Sequence, residues 1–198
     1  MNKFNFPLNI LFKITTFSND FVITDVNGDS VSYVRQKILK LLDEVQVYKD
    51  ESRSDLLFTI KANKWIDFNA TYVFTNAVGL DIGRIVRKGL YSLWKAHYEI
   101  YNKNQQQDLL VREENPWVKV IDSIIGEIPL IGILAGYLFH PSYIVLRNNG
   151  NSVVRITKEP SFFGRKFRID KLEELNQDEE ERIVLGLMMM ILLERQRG

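Results

Sequence analysis

The sequence predicts a mostly-β protein in which about twelve antiparallel strands close into a barrel around one buried C-terminal apolar helix. Short β-branched and aromatic runs alternate with turn residues along most of the chain, the signature of a strand meander. Residues 183–193 then form an unbroken apolar run whose only small residue is Gly186. A helix about 10–12 Å across needs a barrel wider than the eight-stranded kind, which its own side chains fill, so strand number and helix predict the same object.

Taken in order, the candidate strands cover residues 9–14, 21–24, 33–41, 45–48, 56–61, 70–75, 82–87, 96–101, 109–113, 143–146, 153–156 and 166–172. Asn27-Gly28 and Asn149-Gly150 read as hairpin turns, the Asn-Gly pair supplying the positive φ of a type I′ turn. Gly79 and Asn102-Lys103-Asn104 break the meander elsewhere.

Asn176 and Glu179 have the spacing of a capping box, the acids 178–181 suit the positive end of a helix dipole, and Arg195 and Arg197 suit the negative end. At 100° per residue the apolar run 183–193 covers every face of the helix, so protein must surround it. It is also too short to span a bilayer, which takes about 20 residues. Burying some ten large side chains at ~1.5–3 kcal/mol each makes this helix the largest single block of core.

One segment, residues 115–141, fits neither pattern. Asn115-Pro116 reads as an N-cap followed by a proline in the first turn, and Trp117, Ile121, Ile124 and Ile125 recur at helical spacing. A helical insertion is expected there, its apolar run 128–139 capping one end of the barrel or touching a membrane.

Composition narrows the function. The 198 residues are 45% apolar and 26% charged, as in globular proteins, and fit one domain over 1–198. Lysine plus arginine (26) balance aspartate plus glutamate (25), so no whole-molecule field favours nucleic acid. Without cysteine there is neither a disulfide framework nor a thiolate metal site, and a reducing, cytoplasmic setting is expected. The first nine residues lack the apolar core of a secretory signal.

The meander ending in one apolar helix, with Tyr33-Val34-Arg35-Gln36-Lys37 running into Leu41 and Val45-Gln46-Val47-Tyr48-Lys49-Asp50-Glu51, resembles the tubby C-terminal-like superfamily. Within it the chain is similar to the LURP-one-related and phospholipid scramblase-like proteins. Asn115-Pro116-Trp117, Ile128-Pro129 and Tyr137-Leu138-Phe139-His140-Pro141 look like the bacterial, largely uncharacterised branch of that group. The resemblance implies a twelve-stranded barrel around a central helix. Tubby-like relatives bind phosphoinositide head groups, scramblase-like relatives are associated with membranes and calcium, and LURP-one relatives are linked to plant defence. No residue matches the lysine and arginine pocket of tubby proteins, and the scramblase cysteine cluster and proline-rich region are absent.

Asp25-Val26-Asn27-Gly28-Asp29 has its glycine fourth, where a calcium loop needs it sixth, and reads as a turn. His97 and His140 lack a serine, thiol or acid at triad spacing, and no phosphate loop is present, so neither catalysis nor a cofactor or metal is expected. Basic residues carry the remaining signal. If Ile144, Leu146, Val154, Ile156, Phe167 and Ile169 face the helix, then Arg147, Arg155, Lys166 and Arg168 form a cationic stripe on the outer surface. Arg84, Arg87, Lys88 and Lys95 form a second cluster beside Trp94, an aromatic suited to a membrane interface, with Ile131, Leu134 and Leu138 as candidate membrane contacts. The expected function is a monomeric, non-catalytic module binding anionic phospholipid head groups at the inner membrane face, with no nucleic-acid partner. The alternative is a soluble structural or protein-interaction domain without lipid binding.

Overall fold

In the computed structural model the described residues are 4–13, 20–37, 44–63, 70–88, 96–114, 142–161 and 166–195. The strands are β1 (Leu8–Phe12), β2 (Phe21–Thr24), β3 (Ser30–Lys37), β4 (Glu44–Tyr48), β5 (Leu56–Asn63) and β6 (Ala70–Asn76). They continue as β7 (Asp81–Arg87), β8 (His97–Asn102), β9 (Gln107–Glu113), β10 (Ser142–Arg147), β11 (Ser152–Glu159) and β12 (Lys166–Lys171). Each pairs antiparallel with its sequence neighbour, and β1 pairs with β12 to close the barrel. The expected helical segment 115–141 lies outside the described residues.

The chain ends in α1 (Gln177–Arg195), whose residues from Ile183 to Leu193 are all buried. Strand alternation supplies the shell around them: Leu8, Ile10 and Phe12 are buried whereas Leu11 is exposed, and Phe21 and Ile23 repeat the pattern on β2. The capping box forms as the sequence predicts. Asn176 Oδ1 accepts from the Glu179 N–H at 2.9 Å, and Glu179 Oε2 accepts from the Asn176 N–H at 3.1 Å. Gly186 lies where α1 leans on β7 and β8, because a Cβ there would stand 2.7 Å from Ile100 Cδ1.

At the end where α1 begins, β2–β3, β6–β7, β8–β9 and β10–β11 are joined by short turns closed by the same backbone pair; in the first, Asp25 N–H donates to Asp29 O and Gly28 N–H to Asp25 O. Gly28, Gly79, Gln105 and Gly150 take the one positive φ each turn needs. These are three-residue type I turns with a bulge, so the hairpins are as expected but the type I′ assignment is corrected: Asn27 and Asn149 are not at positive φ. The β4–β5 connection, residues 49–55, lies at this end too and is longer than these four turns.

One strand is phased differently from expectation. On β10 it is Tyr143 and Val145 that join the core, in register with Val111 and Glu113 of β9 and with Val154 and Ile156 of β11. Ile144 and Leu146 face outward, though both are buried.

Candidate functional site

The expected stripe separates into two groups. Arg155, Lys166 and Arg168 stand on the outer face of β11 and β12, as alternation requires when Ile156, Phe167 and Ile169 point inward. Each meets a carboxylate: Arg155 the Glu114 side chain at 2.6 Å, Lys166 that of Glu159 at 2.7 Å, Arg168 that of Asp170 at 2.9 Å. Glu114 is held below the usual carboxylate range chiefly by the Arg155 hydrogen bonds, against a smaller opposing effect of burial. Beside Lys166, in register on β1, Leu11 is 55% exposed, and the row continues to Val22 and Tyr33. Lys13 lies over the Tyr33 ring, 5.5 Å from its centroid. Sequence reasoning missed this apolar member, because only the β1–β12 closure brings Leu11 to Lys166.

Arg147 is not on that wall. The bulge and the phase of β10 put it on the inner row opposite Leu109, at the end of the barrel where α1 begins. There it donates to Glu179 from Nε and Nη2 at 2.9 and 3.0 Å, to Glu173 at 3.1 Å and to the Glu174 carbonyl at 2.8 Å. Burial raises the pKa of Glu179, but the Arg147 hydrogen bonds and the capping N–H together outweigh it, so the group sits below the ordinary carboxylate range. Arg147 therefore anchors the helix start.

Two more cations complete that anchor. Arg182, only 2% exposed, forks onto both oxygens of Asp108 at 2.6 and 2.8 Å and reaches Asp178 at 3.0 Å. Its aliphatic stem passes Gly83, where a Cβ would lie 2.8 Å from Arg182 Cδ and 2.4 Å from the Tyr101 carbonyl. Lys171 meets the buried Glu180 and the exposed Glu174, both at 3.4 Å.

The described members of the second expected cluster fall on two faces of the sheet. Arg84 stacks on Tyr101 at 4.6 Å and Lys88 pairs with Glu99 at 3.0 Å, both on the outer face, whereas Arg87 falls on the inner row beside Tyr98. Lys95, Trp94, Ile131, Leu134 and Leu138 lie outside the described residues, as does His140. His97 is half-buried on β8, 3.9 Å from Glu99. Asp25 uses its carboxylate within the turn, accepting from the Asn27 and Asp29 N–H groups at 2.9 and 3.0 Å. Among the described residues no group of three potential metal ligands occurs, and no helix is long and apolar enough to cross a membrane.

A closed twelve-stranded antiparallel barrel filled by a C-terminal apolar helix defines the class of protein. The chain belongs to the LURP-one-related family, whose model matches residues 30–180. That match spans β3 to the first turn of α1, and the tubby-like relation is consistent with the barrel. No curated protein and no solved structure matches the chain.

Proposed function

We propose that the outer wall formed by β11, β12 and β1 binds anionic phospholipid head groups at a membrane surface, and that the protein works as a binding module without catalysis. The observation that carries this reading is the placement of exposed Leu11 in register with Lys166, with Arg168 on the same face of β12 and Arg155 on the same face of the next strand, β11. An apolar side chain framed by cations suits the boundary between acyl chains and head groups. Family membership adds support, since it brings the tubby-like fold whose relatives bind lipid.

The carboxylate partners of these cations do not preclude the reading. Part-exposed ion pairs contribute only about 0–1 kcal/mol, whereas each basic residue near an anionic surface contributes about 1 kcal/mol, so phosphate competes for Lys166 and Arg168 on even terms. A membrane also gains the Leu11 side chain, which no carboxylate can engage.

Sedimentation with vesicles tests the proposal. Binding to anionic but not neutral vesicles is expected, weaker at physiological than at low salt. Lys166→Glu with Arg168→Glu should abolish it and Leu11→Ser should weaken it about threefold. Unchanged sedimentation of the charge-reversed protein refutes the proposed wall, and absence of binding to either vesicle favours a soluble interaction domain.

A further inference from the structure

Two adjoining hollows open at the end of the barrel where α1 begins. The outer one is a groove of about 300 Å³ lined by Leu56, Leu57, Asn76, Ala77 and Val78, together with Phe58 and Glu181. The inner one, about 10 Å³, shares Leu57, Phe58 and Glu181 and adds Ser32, Val47 and Met188. A space of that size holds one group about as large as a water molecule.

Two polar side chains at these hollows have unused capacity. Of the acids that open α1, Asp178 pairs with Arg182, Glu179 with Arg147 and Glu180 with Lys171. Among the described residues Glu181 has only the Gln177 amide, at 3.0 Å, and no cation. Ser32, 1% exposed on the inner face of β3, has a buried hydroxyl with no hydrogen-bond partner among the described residues. A buried hydroxyl and an uncompensated carboxylate around a water-sized space, beside a groove that carries Leu56, Leu57 and Val78, suit a small cationic donor on an aliphatic chain.

The geometry points to a binding site for a linear primary alkylamine, its ammonium between Glu181 and Ser32 and its chain along Leu56, Leu57 and Val78. The site stands apart from the proposed lipid wall and does not depend on it. A primary ammonium is close to water in size and brings three donors, whereas a trimethylammonium group is too large for the inner hollow. An alcohol lacks the charge that answers Glu181, and a carboxylate is repelled by it. Val78 is 79% exposed, so the outer part of the groove offers apolar contact without rearrangement.

Calorimetric titration with hexylammonium, hexanol and hexyltrimethylammonium tests the site. Saturable one-to-one binding of hexylammonium is expected, with hexanol at least about tenfold weaker and the trimethyl compound silent. Glu181→Gln should weaken hexylammonium about tenfold and Ser32→Ala about threefold, both variants keeping the wild-type circular dichroism spectrum and vesicle sedimentation. Failure of hexylammonium to saturate the folded protein, equal binding of hexanol or the trimethyl compound, or unchanged affinity in either variant overturns the assignment.

Discussion

The ionic groups at the start of α1 and those on the outer wall use the same chemistry to different ends. Arg182 has almost no contact with solvent and spends its donors on Asp108 and Asp178, while Arg155 remains in reach of water as it pairs with Glu114. In the first setting a missing partner strands a charge where water cannot replace it. In the second, solvent and salt already screen the pair, and either member can be taken over by another ion. The buried pairs thus fix where the helix enters the barrel, and the exposed ones leave cations available for exchange.

The most severe way to break this comparison is to place a charge inside with no partner at all. Leu187 is fully buried at the middle of α1, and Leu187→Asp should yield no soluble folded protein, as read from expression and circular dichroism. Next in size is Arg182→Ala. Loss of the buried guanidinium should cost about 3 kcal/mol in urea unfolding, the lower end of the range for broken buried pairs because Asp108 and Asp178 are partly exposed. Arg155→Ala should cost less than about 1 kcal/mol in the same assay, and equal losses would erase the distinction.

A smaller effect sharpens it through pH. Glu179 has a folded pKa below its unfolded value, so its contribution is complete above the ordinary carboxylate value and disappears as pH falls through the depressed one. Arg147→Gln removes the main opposing partner of burial, and stability should then fall less steeply with acid below about pH 4.5. The check is thermal unfolding of both proteins between neutral and acidic pH; parallel slopes would mean that Arg147 does not hold Glu179.

Much of the fold was legible because local and global signals agreed. The capping box at Asn176 and Glu179, the all-round apolar run of α1 and most strand positions follow from periodicity and turn chemistry alone. The face of β10 did not. Tyr143, Ile144, Val145 and Leu146 are four apolar residues in succession, all buried, so no alternation sets their phase, and pairing with β9 and β11 decides it. That phase carries Arg147 from the expected outer stripe to the helix start. Arg182 and Asp108 are 74 residues apart, beyond any spacing rule, and meet only once the barrel closes around the helix. Leu11 was likewise readable as a strand residue but not as the neighbour of Lys166, which the last strand supplies. On the wall itself, alternation placed Arg155, Lys166 and Arg168 correctly on the outside but could not show the carboxylates beside them.

The account rests on α1 being the core that the strands enclose, and amide hydrogen exchange followed by mass spectrometry addresses that directly. Peptides covering Ile183 to Leu193 should exchange only through global unfolding, matching the free energy from urea denaturation and as slowly as the best protected strand. Exchange of these peptides well ahead of β5 to β8 would mean that the helix leaves the barrel while the strands stay paired, and would contradict a fold built around it.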